Sequence, residues 1–122
     1  MATHAVTSQD FNQVVESNNL VFVDFWATWC GPCRAFGPTF EKASEANPDV
    51  YFAKVDIDQN PDLAAAAKVQ AVPTLMVVKK QQIIFQQAGA LQAADLDDLI
   101  AQAKALDLAA AKAAQSGADQ QA

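Results

Sequence analysis

The stretch WCGPCR, residues 29–34, contains both cysteines of this 122-residue chain, with two residues between them. Such a C-x-x-C pair has three candidate roles: a structural disulfide, half of a metal site, or a redox couple. On a helix, Cα atoms three residues apart lie about 5 Å from each other, which is within the range for a disulfide. Closing so short a loop stabilises a fold by only about 2 kcal/mol, and intracellular proteins mostly keep their thiols reduced. The spacing therefore allows a disulfide, but the small stabilisation and the reduced state of intracellular thiols argue against a purely structural one.

Zinc binding requires ligands that this sequence does not provide within one chain. A structural zinc ion has four ligands, usually from a second C-x-x-C or from paired histidines. The chain has one histidine, His4, in an N-terminal segment that we expect to be loose, and no third cysteine. A zinc site would need two chains to share the ion, so a redox couple is the favoured interpretation.

Composition and charge indicate one globular domain without a nucleic acid or membrane partner. Hydrophobic residues make up 52% of the chain and charged residues 18%, and the net charge is −6. Such an acidic surface repels phosphate backbones and anionic lipids. Residues 1–13 lack the basic and apolar segments of a secretory signal, and the apolar run at 20–30 is interrupted by Asp24 and too short for a bilayer. We therefore expect a soluble, cytoplasmic monomer.

Hydrophobic periodicity predicts an α/β fold with alternating strands and helices. Residues 20–26 form an almost continuous apolar run, which is typical of a central parallel strand covered on both faces. The C-x-x-C stretch opens a helix over 32–46, which Gly37 and Pro38 should kink. The other predicted elements are a helix that starts at 7–10, a strand at 50–57, a helix from 60 to 68, a hairpin of strands 74–78 and 83–85 without a glycine in its turn, and a helix with an apolar stripe from 96 to 106.

The sequence divides into a domain at residues 1–106 and a C-terminal tail at residues 107–122. The tail is rich in alanine and glutamine and ends in SGADQQA. Small side chains bury little area, and this area cannot offset the entropy lost on ordering such an end. We expect a frayed helical extension that becomes disordered and contributes little to the fold.

Several segments resemble the thioredoxin family, in its order and at its spacing, from about residue 8 to residue 104. They are VDFWATWCGPC at 23–33, Pro38, DIDQNP at 56–61, VPT at 72–74 and Gly89. The resemblance implies a thioredoxin fold, with a mixed five-stranded sheet flanked by four helices. It also implies protein-disulfide reductase activity by dithiol–disulfide exchange, with no bound cofactor, disulfide-containing proteins as substrates and a separate thioredoxin reductase as electron donor.

The chain departs from the family pattern at three places. Arg34 replaces the lysine that usually follows the second cysteine, which keeps the positive charge. The hairpin lacks the usual Asn-Gly turn, and the tail has no counterpart in a minimal thioredoxin.

The position of the cysteines predicts their roles in exchange. Cys30 lies at the helix N-terminus, where unpaired N–H groups and the helix dipole favour a thiolate, so we expect an exposed nucleophile. Cys33, one turn inside, should be the more buried resolving thiol. Gly31 leaves room for a protein substrate, and Pro32 presets the helical φ and removes one N–H donor. Since neither residue adds a positive charge, the couple should act as a reductant.

Asp24 is an acid within the apolar strand, and it has two interpretations. It is either a solvated acid on a strand face or a buried carboxyl with a raised pKa that takes the proton of Cys33 and returns it. The second is favoured because both faces around it are apolar. Lys54, on the strand expected alongside, resembles the lysine that accompanies this acid in the family, although an ordinary edge-exposed lysine is a nearly equal alternative.

The resemblance also implies a docking surface for substrates. It makes the Val72–Pro73 peptide bond cis, which would present an apolar surface and leave the Val72 peptide group free to pair with a substrate. We expect Trp26 in the core and Trp29 partly exposed. The docking patch is defined as Trp29, Gly31, Pro32, Val72, Pro73, Gly89 and Ala90.

A non-catalytic thioredoxin-like module that holds a partner protein on the same patch is the alternative function. A scaffold needs none of the redox residues, so the two cysteines, Asp24 and Pro73 favour the enzyme. The Gly-Pro pair between the cysteines disfavours a third candidate, an oxidant or isomerase.

Overall fold

A computed structural model describes residues 2–111 of the chain, which form an α/β fold of five strands and four helices, followed by a helical turn at 108–111. Among these helices, none is long and apolar enough to span a bilayer. The end of the predicted tail, residues 112–122, lies outside the described residues. The elements are β1 (Thr3–Ala5), α1 (Phe11–Ser17), β2 (Leu20–Trp26), α2 (Gly31–Ala46), β3 (Tyr51–Asp56), α3 (Pro61–Ala66), β4 (Thr74–Lys79), β5 (Gln82–Ala88) and α4 (Ala93–Ala105).

The five strands form one mixed sheet in the order β1-β3-β2-β4-β5, which confirms the fold that the resemblance implied. β1, β3 and β2 run parallel, whereas β4 pairs antiparallel with β2 and with β5. The side chains of β2 alternate between two cores on opposite faces of the sheet. Phe22 packs with Phe40 and Phe52 in the core under α2 and α4, and Val23 packs in the core under α1 and α3. This two-sided burial explains why residues 20–26, apart from Asp24, are apolar without alternation.

Residues 3–5 form an edge strand and not the loose segment that the sequence predicted. β1 pairs parallel with β3, and the N–H of the buried Val6 donates to the Lys54 carbonyl at 2.9 Å. Glu41 of α2 accepts the Thr3 hydroxyl at 2.6 Å. The prediction was wrong because these partners are distant in the sequence, and three residues carry no local pattern that could reveal them.

The hairpin between β4 and β5 turns at two residues in the left-handed backbone region. The φ angle is +48° at Lys80 and +67° at Gln81. Positive φ at both positions matches the two-residue turn whose twist suits antiparallel strands. The Lys80 N–H donates to the Asn19 carbonyl at 2.8 Å, which ties the turn to the residue before β2.

α4 ends against a buried lysine from the last position of β4. The Lys79 ammonium donates to the carbonyls of Ala103 at 2.6 Å, Lys104 at 3.1 Å and Leu106 at 2.7 Å. Carbonyl groups in the last turn of a helix have no partner within the helix. Lys79 therefore provides the hydrogen bonds that α4 itself does not provide.

The chain continues after this corner into the helical turn at 108–111. Asp107 begins the turn, since its carboxylate accepts the Ala110 N–H at 3.1 Å and its carbonyl accepts the Ala111 N–H at 2.9 Å. Leu108 is buried. The division between domain and tail at residue 106 stays a prediction, but the buried Leu108 argues against the expectation that the whole tail contributes little to the fold.

Candidate active site

The two cysteines lie where the chain leaves β2 and enters α2. Cys30 is the N-cap of α2 and Cys33 lies in its first turn, with 5.3 Å between their Cα atoms and a disulfide between their sulfurs. The Cys33 N–H donates to the Cys30 Sγ at 3.2 Å, while Pro32 provides no N–H. The Cys30 sulfur therefore occupies the position at which a helix N-terminus stabilises a negative charge.

Both sulfurs are buried in this disulfide form, so the expectation of an exposed Cys30 and a more buried Cys33 is wrong here. Cys30 is 4% exposed and Cys33 is 5% exposed. The carbonyl oxygen of Val72 lies 3.5 Å from the Cys30 sulfur and helps to cover it. The position of a residue on its own helix does not reveal which segments pack over it, and Val72 is 42 residues further along the chain.

The turn before β4 provides this cover. The Val72–Pro73 peptide bond is cis, as the resemblance implied. The Pro73 carbonyl accepts the Gly89 N–H at 2.8 Å. Pro73 itself is buried, so the expectation that it presents an apolar surface is wrong.

The other residues of the docking patch lie at the surface. Trp29 is 66% exposed, and its indole N–H donates to Asp58 at 2.9 Å. Sequence reasoning did not single out Asp58, whose only signal was its place in the DIDQNP segment. Val72 is half-buried, and the exposed members of the patch are Trp29, Gly31, Pro32, Gly89 and Ala90.

Asp24 lies in the middle of β2 with only 1% of its surface exposed. Neither of its carboxyl oxygens has a hydrogen-bond partner among residues 2–111. Burial raises the pKa of Asp24 from 3.8 to about 7, although the Lys54 ammonium acts in the opposite direction. The alternative of a solvated strand-face acid is therefore wrong, and the carboxyl changes its charge near neutral pH.

Lys54 lies beside Asp24, since the two residues are partners in the register of β2 and β3. Because β1 covers the far side of β3, the alternative of an edge-exposed lysine is wrong. The Lys54 ammonium is 5.1 Å from the ring centre of Trp26, which is half-buried, and this distance is typical of a cation–π contact. Lys54 and Cys33 also line the same pocket, of about 530 Å³. The Lys54 ammonium thus interacts electrostatically with the buried Asp24 and also lines the cavity beside Cys33.

Two further residues of this pocket were not predicted to belong to the site. Arg34, noted only as a departure from the family pattern, donates a guanidinium N–H to the Thr28 carbonyl at 3.0 Å. Glu41 lines the pocket from the next turns of α2, and the Thr3 hydroxyl that it accepts is the main cause of its lowered pKa. No group of three potential metal ligands lies together within residues 2–111.

Comparison with known protein families shows to which family this chain belongs. A family model described as Thioredoxin matches residues 2–102. The chain belongs to the thioredoxin family. It is 50% identical over 107 residues to putative thioredoxin 2 of Streptomyces coelicolor, with 88% of this chain and 80% of that protein covered. It is 40% identical over 94 residues to thioredoxin-1 of Saccharomyces cerevisiae, with 77% and 91% covered.

Solved structures of thioredoxins have the same fold. A mutant thioredoxin from Halobacterium salinarum superposes with a TM-score of 0.81 at 33% identity, covering 86% of this chain and 93% of that one. The thioredoxin of Malassezia sympodialis gives 0.77 at 37% identity, with 86% and 96% covered.

Family and geometry together establish the type of chemistry. The Cys30–Cys33 disulfide at the start of α2 fits the redox site of a thioredoxin. The chain is a protein-disulfide oxidoreductase that works by dithiol–disulfide exchange, on disulfide-containing substrates and with a reductase partner. This conclusion disfavours the alternative of a non-catalytic binding module.

Proposed function

We propose that this thioredoxin is a general reductant of protein disulfides, with Cys30 as the nucleophile and Cys33 as the resolving thiol. The observation that carries this assignment is the position of the Cys30 sulfur. It accepts the Cys33 N–H at 3.2 Å at the start of the 16-residue helix α2, and the Val72 carbonyl of the docking patch lies 3.5 Å from it. Cys33 instead lines the pocket that contains Lys54. Exposure does not distinguish the two sulfurs, but the Cys33 N–H and the helix N-terminus favour a thiolate at Cys30.

The proposed exchange transfers two electrons. The Cys30 thiolate attacks one sulfur of a substrate disulfide, a mixed disulfide forms, and the other substrate sulfur leaves as a thiolate. The Cys33 thiolate then attacks the Cys30 sulfur, the Cys30–Cys33 disulfide forms, and the first substrate sulfur leaves. Each released thiolate takes up one proton, so the substrate becomes a dithiol. A thioredoxin reductase then returns two electrons to the chain.

Asp24 accepts the proton of Cys33 in this proposal. With a pKa of about 7, its carboxyl can take up a proton at neutral pH and release it again. The Lys54 ammonium stabilises the carboxylate and lines the pocket beside Cys33, so both groups support the second step of the exchange. No hydrogen bond from residues 2–111 holds the carboxyl in one protonation state.

Substrates dock beside Cys30 through their main chain. The N–H and carbonyl of Val72 take part in no backbone hydrogen bond within residues 2–111, so an extended substrate segment can pair with them. The exposed residues around Val72 in the patch, which include Trp29 and Pro32, carry no charge. A patch that binds through backbone and apolar contacts accepts many sequences, which supports a general reductase.

The working unit we propose is a cytoplasmic monomer with no bound cofactor. Both cysteines, Asp24 and the docking patch come from one chain, which supports the monomer. The net charge of −6 disfavours nucleic acid and anionic membranes as partners. A reducing compartment keeps the dithiol form available for exchange.

Insulin reduction by the purified dithiol form tests the proposal. Cys30→Ser should abolish turnover, because it removes the nucleophile. Cys33→Ser should retain the first step and accumulate mixed disulfides, visible as an insulin adduct on a non-reducing gel. If Cys30→Ser formed the adduct and Cys33→Ser did not, the two roles would be reversed. Equal activity of both variants and the wild type would contradict the enzyme and favour the binding module.

A further inference from the structure

Three successive carbonyl groups precede β4, and their surroundings differ. The Ala71 carbonyl accepts the Thr74 hydroxyl at 2.6 Å, and the Pro73 carbonyl accepts the Gly89 N–H at 2.8 Å. Between them, the Val72 carbonyl faces the disulfide, and Val72 makes no backbone hydrogen bond within residues 2–111. The turn is therefore fixed on both sides of the peptide group that lies beside the reactive sulfur.

Thr74 has a fixed position at the start of β4. It is 3% exposed and is paired in register with Phe25 of β2 and Ala88 of β5. A buried hydroxyl needs a hydrogen-bond partner, and the branched threonine side chain has few rotamers in which to find one. The Ala71 carbonyl, three residues back, is that partner. Strand pairing thus fixes the position of the Thr74 hydroxyl, and the hydrogen bond from this hydroxyl to the Ala71 carbonyl fixes the turn.

We propose that the Thr74 hydroxyl is a positioning group for substrate binding, which keeps Val72 beside the Cys30 sulfur with its backbone groups unpaired. This inference rests on the proposed function, in which Val72 pairs with the main chain of the substrate. Without the hydroxyl, the Ala71 carbonyl is free to bind water, and the turn samples conformations that direct Val72 elsewhere. Only the correctly arranged fraction binds a peptide segment, so the apparent affinity falls with that fraction. A disulfide without peptide groups does not depend on this arrangement.

Two matched variants test the role of the hydroxyl in the full chain. Thr74→Val removes it and keeps the branched shape, whereas Thr74→Ser keeps it. Stopped-flow measurements give the second-order rate constants of each dithiol protein with insulin and with dithiobis(nitrobenzoate), a small aromatic disulfide without peptide groups. We expect Thr74→Val to reduce insulin about tenfold more slowly and the aromatic disulfide within about twofold of the wild-type rate. Thr74→Ser should restore the wild-type ratio of the two rate constants.

The ratio of the rate constants separates positioning from general damage to the fold. Equal losses on both substrates, or an unchanged rate with insulin, would overturn the inference. Thr74→Ala removes the same hydroxyl and should show the same substrate dependence, so it replaces Thr74→Val if that variant does not fold. If the wild type reduced neither substrate, the proposed function itself would fail. If it reduced both and Thr74→Val matched it, only the role of Thr74 would be refuted.

Discussion

Asp24→Asn replaces a buried carboxyl by an amide of nearly the same shape that does not ionise. Asp24 is 1% exposed, and its oxygens have no hydrogen-bond partner within residues 2–111. Because burial disfavours the charged form, the folded state binds the Asp24 proton more tightly than the unfolded state does. The stability linked to this proton is fully present below the unfolded pKa of 3.8 and is lost as the pH rises through the folded pKa of about 7.

The unfolded and folded pKa values of Asp24 set the size of the stability difference between the wild type and Asp24→Asn. A pKa difference of about 3 corresponds to about 4 kcal/mol in the free energy of unfolding. The wild type loses this free energy between about pH 4 and pH 8, whereas the asparagine variant has no such proton to lose. We expect the variant to be more stable by about 4 kcal/mol at pH 8, by about 2 kcal/mol at pH 5 and by almost nothing at about pH 3. With a urea m-value of about 2 kcal/mol per M, the largest difference shifts the midpoint by about 2 M.

Urea unfolding of the oxidised proteins across this pH range is the assay. Asp97→Asn, at an exposed position of α4, is the matched control and should stay within about 0.5 kcal/mol of the wild type. Asp24→Asn should also reduce insulin more slowly, since Cys33 loses its proton acceptor. If the wild-type and Asp24→Asn stabilities changed in parallel with pH, the raised pKa would be refuted. The proposed role of Asp24 in exchange would then lose its physical basis.

Two further predictions concern the C-terminus and the hairpin. Removing residues 112–122 should change neither the urea midpoint nor the rate of insulin reduction, whereas a cut after residue 106 also removes the buried Leu108 and should lower the unfolding free energy by about 2 kcal/mol. A large loss from the first truncation would show that residues 112–122 contribute to the fold. Gln81→Gly should stabilise the protein by about 1 kcal/mol, because φ is +67° there, while the control Gln82→Gly in β5 should destabilise it. A lower urea midpoint for Gln81→Gly would contradict this argument.

The parts of the fold with a local pattern could be predicted from the sequence, and the parts made by distant partners could not. β2 was predictable because burial on both faces leaves a continuous apolar run, and the start of α2 was predictable from Pro32 and the C-x-x-C spacing. β1 depends on pairing with β3, which three residues cannot indicate. The two interpretations of Lys54 could not be separated for the same reason, since only β1 makes β3 an inner strand. The burial of Cys30 depends on a carbonyl 42 residues away.

The contact of Lys79 with the end of α4 makes two distant parts of the chain cooperate in folding. The helix ends in carbonyls that no further turn satisfies, and the strand carries a cation that cannot stay buried without acceptors. The end of α4 therefore provides acceptors for Lys79, and Lys79 provides donors for the end of α4, although 24 residues separate Lys79 from Ala103. Helix ends commonly open first, as local fluctuations that leave the rest of the fold intact. Here the last turn of α4 is bonded to a strand beside the central one, so we expect its amide hydrogens to exchange with solvent more slowly than those of an ordinary helix end.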